Sequence, residues 1–350
     1  MAPYFSPPMW EQRRMCIAQT LYTHKTQSVL EVGCGEGNIL SFLTGPTSDD
    51  EYPITKLVGI DISADALQRA QAALEPTPHD LRYPRIDNLR ICLFLGDCTG
   101  PPIDGVHCDA VVCSEVIEHV LPTQVAALTN AVLGGYRPQV AIFTTPNAEF
   151  NVNFPGLGYG TPQAKFRDED HKFEWTRDEF EQWARKSALD YGYSVEMRGI
   201  GLSMRNADSR FVACGGCTQM ALFVRGAERE DSCSPRSKSE PVLEQPRLFA
   251  SIEYPVYSQP RLPDKQLFDL VLEMAQLAAG NDENEGENGD SWTVSEDDLW
   301  EMLDVKHQFK RRSALRAWLD GQPETFTVVV KDDSNQDDAL LLARRYRLQR

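Results

Sequence analysis

The chain has 350 residues, 41% of them hydrophobic, which is long enough to bury a large core and excludes a minimal disulfide-stapled scaffold. No run approaches the roughly 18 apolar residues of a membrane span, and residues 1–11 lack the basic start and apolar core of a signal peptide, which predicts a cytoplasmic protein that does not enter membranes. The net charge of −17 excludes a broadly basic surface, so any polyanionic ligand has to be bound locally.

Short β-branched runs alternate with segments of helical apolar spacing through the first 226 residues. Helical spacing predicts helices at 64–74, 123–133 and 177–189, and Thr176 followed by Glu179 predicts a capping box before the last of them. The pattern predicts an α/β domain over residues 1–226, with a seven-stranded, mostly parallel, doubly wound, Rossmann-like sheet. The predicted strands are 28–32, 56–60, 89–95, 109–113, 139–145, 193–198 and 219–225.

A glycine-rich turn follows the first predicted strand, in the segment 28–38 with sequence SVLEVGCGEGN. Glycines at the carboxyl end of a strand allow the backbone to approach a ligand closely, and Glu31, Gly33 and Gly35 are the expected contacts. The glycine spacing is G-x-G-x-G, and Asn38 occupies the position at which a dinucleotide fingerprint has its third glycine. The turn therefore argues against NAD or FAD as the cofactor.

Two aspartates extend this pattern along the sheet. Asp61 ends the second predicted strand, where a carboxylate can accept hydrogen bonds from both ribose hydroxyls of a nucleoside, and Asp97 follows the third, near the expected adenine position. Taken with the glycine turn, the set resembles that of class I S-adenosylmethionine-dependent methyltransferases. We therefore expect S-adenosyl-L-methionine as the cofactor.

A second cluster, Glu115, Glu118 and His119, follows the fourth predicted strand. On a helical turn these residues, at i, i+3 and i+4, share one face, a pattern that on its own is more often solvated surface. His171 lies in a polar segment after the fifth strand and supplies a second imidazole. Two glutamates and two histidines suit a divalent ion, either Mg²⁺ or Mn²⁺, with positions left open for a vicinal diol.

The composition changes after residue 226. Residues 227–247 are rich in Ser, Pro, Glu and Arg, which predicts a linker, and residues 280–290 form a second polar run. Between and after them lie amphipathic pieces at 265–279 and 296–319 and a strand-like run at 325–331. Residues 248–350 are therefore predicted to be an acidic C-terminal region, either a small helical appendage or partly disordered.

Several motifs in residues 4–226 resemble the metal-dependent small-RNA 3′-terminal 2′-O-methyltransferases of the HUA-enhancer type. They are Phe5-Ser-Pro7-Pro8 with Gln12-Arg13, Glu115-Val-Ile-Glu118-His119, Thr145-Pro-Asn147-Ala-Glu-Phe-Asn151, Asp170-His171-Lys-Phe-Glu-Trp-Thr-Arg177 and Cys217-Thr-Gln219.

The resemblance implies roles for individual residues. Residues that match Glu115, Glu118, His119 and His171 bind the ion in that family, and they are the implied catalytic residues here. The N-terminal motif implies that Phe5, Pro7, Pro8 and Arg13 contact RNA. The implied substrate is the single-stranded 3′ end of a small RNA of the piRNA or siRNA type, presented by an Argonaute- or Piwi-type protein to a monomeric enzyme.

Other interpretations remain open from the sequence. A metal-dependent methyltransferase of a small vicinal diol such as a catechol needs the same cofactor turn and the same ion. A catalytically silent RNA-binding scaffold is a third possibility, although buried carboxylates without a counter-cation are costly. The segment Phe5-Ser-Pro-Pro is equally an extended lead-in to a helix that starts near Met9, and Phe173 and Trp175 fit core packing better than base stacking.

Overall fold

The computed structural model of the chain describes residues 4–45, 51–201, 213–226, 244–279, 291–329 and 344–349. They form two compact units, one of Met1–Gly45, Ile54–Thr77 and Leu89–Tyr254 and one of Pro46–Pro53, Pro78–Asn88 and Pro255–Arg350. Residues 227–243 of the predicted linker and the polar run at 280–290 lie outside the described residues. No helix in the described ranges has the length and apolar character needed to cross a membrane.

The first unit is built on an eight-stranded sheet, with strands β1 (Ser28–Val32), β2 (Lys56–Asp61), β3 (Arg90–Leu95), β4 (Ala110–Ser114), β5 (Val140–Pro146), β6 (Tyr193–Ile200), β7 (Thr218–Arg225) and β8 (Arg247–Glu253). Their order in the sheet is β6-β7-β5-β4-β1-β2-β3-β8. The central strands pair in parallel, whereas β7 runs antiparallel to β5 and β6, and β8 runs antiparallel to β3. This arrangement confirms the predicted α/β class, and the seven predicted strands form within two residues of their expected ends.

The eighth strand was not predicted, and it places the end of the first unit later than the predicted boundary at residue 226. Strand β8 pairs with β3 in the register Ile91↔Ile252, and the Ile252 side chain is buried in the core. The Tyr254 hydroxyl then donates to the Leu74 carbonyl at 3.1 Å. The short run 247–253 alternates too weakly to stand out after a polar stretch, so its strand character depends on the open edge of β3.

Helices cover both faces of this sheet, and each face has its own buried apolar cluster. The Thr176 hydroxyl accepts from the Glu179 backbone N–H, and the Glu179 carboxylate accepts in return, which confirms the predicted capping box. Phe173 and Trp175 pack against the core, as expected. The predicted helix at 123–133 forms as a 3₁₀ turn, a short α-helix and a π-helical segment. The helices are α1 (Met9–Thr23), α2 (Asn38–Leu43), α3 (Ala64–Leu74), α5 (Val125–Thr129) and α6 (Arg177–Tyr191), with 3₁₀ turns at Ile117–His119, Pro122–Gln124, Ala148–Asn153 and Pro155–Leu157 and the π segment at Asn130–Tyr136.

The second unit has its own core around a three-stranded antiparallel sheet of β9 (Ser291–Ser295), β10 (Phe326–Val329) and β11 (Arg345–Gln349), in which β11 is the central strand. Tyr346 and Leu348 of the central strand are fully buried, and the buried Glu296 carboxylate accepts hydrogen bonds from Arg312 and Arg316. The predicted amphipathic segments form helices here, together with a small sheet of which one strand was predicted. The elements are α4 (Pro78–Arg82), α7 (Asp264–Ala279), β9 (Ser291–Ser295), α8 (Glu296–Trp300), α9 (Leu303–Phe309), α10 (Arg312–Asp320), β10 (Phe326–Val329) and β11 (Arg345–Gln349).

Candidate metal and cofactor site

The turn after β4 positions the predicted acidic residues, but not as one helical face. The Glu115 backbone N–H still donates to the Thr144 carbonyl of β5 at 2.9 Å, so the strand pairing continues to this residue. Glu115 then adopts a left-handed conformation with φ of +54°, and a 3₁₀ turn over Ile117–His119 follows. The sharp change of direction at the strand end therefore separates Glu115 from the turn that carries Glu118 and His119.

Glu118, His119 and His171 converge. Each offers one ligand atom, and these three atoms lie within 4.8 Å of one another. The two imidazole rings meet edge to face, with centroids 4.9 Å apart. Glu115 lies on the same cavity, but its Oε2 is 3.2 Å from Nη1 of Arg13, so it pairs with a cation of the chain. The structure thus brings three of the four predicted ligands together, and Glu115 as the fourth stays a prediction.

The Glu118 carboxyl group is fully buried, and its two oxygens differ. Oε2 accepts from the Thr145 hydroxyl at 3.0 Å, whereas Oε1 has no hydrogen-bond partner among the described residues. Burial, with the nearby Glu115 charge as a second cause, raises the pKa of Glu118 to about 8. An ionised carboxylate at this position is costly unless a cation lies against Oε1. One oxygen and two imidazoles at this spacing fit a divalent metal ion.

His171 is held by its own loop. The Lys172 backbone N–H donates to the Glu118 carbonyl at 2.8 Å, which ties this loop to the turn after β4. The His171 Nδ1 atom lies 2.7 Å from Oε1 of Glu174, and both side chains are nearly inaccessible, at 7% and 1% exposed. His119 has a similar but exposed neighbour, since its Nδ1 lies 3.3 Å from the Asp170 carboxylate.

A cavity of about 320 Å³ opens over the cluster. Phe5 and Arg13 from the N-terminal segment line it together with the metal-ligand candidates. Pro7 and Pro8 do not belong to its lining. They are exposed, and their carbonyl oxygens accept hydrogen bonds from α1, the Pro7 carbonyl from the Gln12 side chain. The structure therefore places two of the four predicted RNA contacts on the cavity and the other two at the start of the helix.

The predicted cofactor turn lies between β1 and α2. Gly33 and Gly35 have φ of +70° and +51°, a conformation that glycine adopts without strain. The Asp61 carboxylate accepts from the Gly35 backbone N–H and from the Ser63 backbone N–H, each at 2.8 Å. Asp61 therefore shapes the turn, and its remaining lone pairs can accept hydrogen bonds from ribose hydroxyls.

The other two predicted cofactor contacts differ in environment. Glu31 is buried beneath the turn, where burial raises the pKa of its carboxyl group, and its Oε2 has no hydrogen-bond partner in the described chain. Asp97, after β3, accepts from the backbone N–H and the hydroxyl of Thr99. Both carboxyl groups lie at the carboxyl end of the parallel strands, where this fold class binds nucleotides.

The cofactor turn contacts the metal-ligand turn directly. A Cβ atom placed on Gly33 would lie 2.5 Å from Cγ2 of Val116, a contact closer than any side chain allows. Val116 stands between Glu115 and the 3₁₀ turn that carries Glu118. The glycine at this position therefore serves two purposes: it turns the chain, and it lets the two predicted sites approach each other.

The residues that support the ligands were not predicted from the sequence. The hydroxyls of Thr144 and Thr145 at the end of β5 donate to Glu115 and Glu118, both at 3.0 Å. Glu174, Asn151 and Arg167 form a partly buried network of hydrogen bonds beside His171. Glu174, Asn151 and Thr145 lie inside the quoted motifs, so their side-chain types were a usable signal, but their pairing depends on loops distant in sequence.

The chain is similar to known methyltransferases over a large part of its length. A family model for a methyltransferase domain matches residues 30–133. A small RNA 2′-O-methyltransferase of Schizosaccharomyces pombe is 34% identical over 287 residues, which cover 77% of this chain and 74% of the relative. A small RNA 2′-O-methyltransferase of Xenopus tropicalis is 34% identical over 253 residues, which cover 72% of this chain and 64% of the relative. The chain thus spans less than two thirds of the frog relative.

Among solved structures, the chain is similar to the crystal structure of a small RNA methyltransferase, with 30% identity and a TM-score of 0.54. The matched region covers 73% of this chain and 29% of that protein. The likeness therefore extends over most of this chain but over less than a third of the larger protein.

Proposed function

Because the chain belongs to the small RNA 2′-O-methyltransferase family, we propose that it methylates the 2′-hydroxyl of the 3′-terminal nucleotide of single-stranded small RNAs. The methyl donor is S-adenosyl-L-methionine, and a divalent ion, Mg²⁺ or Mn²⁺, assists the reaction. The observation that carries this proposal is the convergence of Glu118, His119 and His171 on one cavity with Phe5 and Arg13. Such a cavity offers a place for both the reacting hydroxyl and the end of a nucleic acid.

The donor set fits the proposed ion. Glu118, His119 and His171 would hold it, with Glu115 as a fourth ligand once its carboxylate leaves Arg13. When bound, such an ion polarises the ribose hydroxyls and lowers the pKa of the 2′-hydroxyl, which makes its oxygen a better nucleophile. Thr145 orients the Glu118 carboxylate by donating a hydrogen bond to Oε2. The other oxygen, Oε1, accepts no hydrogen bond from the described residues and is the atom that would bind the ion.

The cofactor turn supports the methyl donor in this proposal. Asp61 accepts from the Gly35 and Ser63 backbone N–H groups and thereby keeps the turn in the conformation that admits a nucleoside. The absence of a Cβ on Gly33 keeps the turn against Val116, so that the methyl donor and the ligand turn are neighbours. Holding the two reactants close together in a reactive orientation lowers the barrier to such a transfer.

The proposed specificity is tested by the chemistry of the RNA end. We expect methyl transfer to a single-stranded RNA with a terminal 2′,3′-diol, supported by Mn²⁺ and lost with EDTA, because both hydroxyls are available to the ion. An RNA with a 2′-deoxy end has no 2′ oxygen to accept the methyl group, and a 3′-phosphate converts one of the two hydroxyls into a phosphate ester. Methyl incorporation into the three RNAs is the measurement. Equal incorporation would exclude terminal-ribose chemistry, and transfer to catechol alone would favour the small-diol interpretation.

Arg13 is proposed to contact the RNA backbone from the wall of the cavity. We expect Arg13→Ala to weaken RNA binding and to reduce the slope of log K against log salt by about 0.7, the contribution of one phosphate contact to a single strand. Filter binding at several salt concentrations gives this slope. Arg14→Ala is the matched control, since Arg14 stacks over Trp10, with a distance of 4.1 Å to the ring centroid, and is not among the residues that line the cavity. An unchanged slope in Arg13→Ala would argue against the contact.

The same proposal includes a partner protein, an oligomeric state and a cellular location. Small RNAs of the piRNA or siRNA type are presented with a free 3′ end by an Argonaute- or Piwi-type protein, and the enzyme acts as a monomer in the cytoplasm. The acidic net charge of the chain is compatible with contact to a few nucleotides, because binding a short single strand needs only a small local surface of the protein.

A further inference from the structure

A chain of hydrogen bonds begins at Arg167, in the wall of the cavity. Its Nη1 donates to the Cys217 carbonyl at 2.8 Å, its Nη2 to the Asn147 carbonyl at 2.5 Å, and its Nε to Oδ1 of Asn151 at 2.5 Å. A guanidinium carries only donors, so the Asn151 atom that faces it has to be the oxygen. The Asn151 amide is thereby fixed, and its NH₂ group points the other way.

The Asn151 NH₂ group donates to Oε2 of Glu174 at 2.5 Å. The Arg167 backbone N–H donates to the other oxygen, Oε1, at 2.6 Å. Both partners are donors, so both oxygens of the Glu174 side chain act as acceptors. With its side chain 1% exposed, this group has no room to exchange these partners for solvent.

The Oε1 atom of Glu174 is also 2.7 Å from Nδ1 of His171. Since Oε1 acts as an acceptor, Nδ1 has to carry the hydrogen. A neutral imidazole has one N–H, and the lone pair is then on Nε2. The nitrogen that Glu174 does not hold is therefore the one able to bind a cation beside Glu118 and His119.

We infer that Glu174 is a positioning residue that selects the Nδ1–H tautomer of His171. We also infer that Arg167 fixes the orientation of the Asn151 amide, so that both oxygens of Glu174 act as acceptors. The inference rests on the proposed function, in which His171 is a metal ligand. Without this chain of hydrogen bonds, a neutral imidazole carries its proton on either nitrogen. The fraction with the proton on Nε2 cannot bind a metal through that atom.

The first test removes the acceptor character of one Glu174 atom. In Glu174→Gln the amide NH₂ group faces a donor in either orientation, the Asn151 NH₂ group in one and the Arg167 backbone N–H in the other. In the second orientation it also faces Nδ1 of His171 and can donate to it, which favours the Nε2–H tautomer. We expect long-range proton–nitrogen NMR correlations, with the His171 signals assigned by their loss in His171→Ala, to show a shift toward the Nε2–H tautomer. We also expect the affinity for Mn²⁺ to fall about 10–100-fold, the usual effect of losing such a partner.

A second substitution restores the directions of the hydrogen bonds. In the double variant Asn151→Asp with Glu174→Gln, the carboxylate introduced at position 151 would accept from Arg167 and from the glutamine NH₂ group, and the glutamine oxygen would accept from the Arg167 backbone N–H and from His171. We expect the Nδ1–H tautomer and most of the Mn²⁺ affinity to return. Asn151→Asp alone sets two carboxylates against each other and is expected to stay impaired. Glu181→Gln, on the exposed face of α6, controls for the loss of one negative charge.

The outcomes are distinct. A wild-type tautomer and wild-type Mn²⁺ affinity in Glu174→Gln overturn the inference, as does a folded double variant that recovers neither property. Where the double variant does not fold, the tautomer in the single variant decides. A wild-type protein that binds no Mn²⁺ contradicts the proposed metal dependence, yet the tautomer measurement still tests the role of Glu174, so the two failures are separable.

Discussion

His171→Ala is expected to lower metal-dependent methyl transfer on the order of a hundredfold or more while leaving S-adenosylmethionine affinity unchanged. His171 supplies one of three ligand atoms that lie within 4.8 Å of one another, and its replacement leaves only Glu118 and His119 of these three. A metal ion contributes several kcal/mol to such a transition state, and each ~1.4 kcal/mol corresponds to a factor of ten in rate. Single-turnover methylation at saturating RNA, with calorimetric titration of the cofactor, separates the two effects.

His107→Ala is the matched control for this variant, because His107 is an exposed histidine of the same unit. Its activity should equal that of the unaltered protein. Retained Mn²⁺-dependent activity in His171→Ala would remove this residue from the ligand set. Loss of cofactor affinity together with activity would instead indicate that the substitution disturbs the whole carboxyl edge of the sheet.

Asp61→Ala is expected to weaken S-adenosylmethionine binding on the order of a hundredfold. The carboxylate accepts the backbone N–H groups of Gly35 and Ser63, and hydrogen bonds to a charged group each contribute about 1.5–3 kcal/mol. Its loss frees the turn between β1 and α2 and also removes the proposed acceptor for the ribose hydroxyls. The dissociation constant from calorimetry is the measurement.

Asp65→Ala provides the comparison for Asp61→Ala, since Asp65 is an exposed acidic residue in the first turn of α3. Thermal melting of both variants shows whether the unit stays folded. A dissociation constant equal to that of the unaltered protein would mean that the glycine turn binds the cofactor without help from Asp61. Weakened binding of Mn²⁺ would show that the effect extends to the neighbouring ligand turn.

The fold was largely predictable because its signals are local. Each central strand is an apolar run bounded by turn residues, and Thr176 with Glu179 marks a helix start by side-chain chemistry alone. Strand β8 escaped prediction because its pairing depends on the open edge of β3, far earlier in the chain. Such long-range pairing depends on tertiary packing, which a local sequence pattern does not reveal.

The site was predictable by residue type more than by geometry. Glu118, His119 and His171 do converge, but Glu115 turns left-handed at the end of β4 and pairs with Arg13, so the expected helical face does not exist. The expectation assumed that a helix begins directly after the strand. The hydrogen bond from Glu115 to the Thr144 carbonyl extends the strand pairing by one residue, and this was not visible in the sequence.

Strand β8 changes how a minimal fragment of this protein has to be chosen. A chain cut after β7 keeps every residue of the cavity, yet it exposes the whole backbone edge of β3, the strand that leads to Asp97. Unpaired edges of this kind recruit strands from other molecules. The polar stretch between β7 and β8 thus connects the sheet to its own protective strand, and fragments that omit residues 247–253 are prone to self-association.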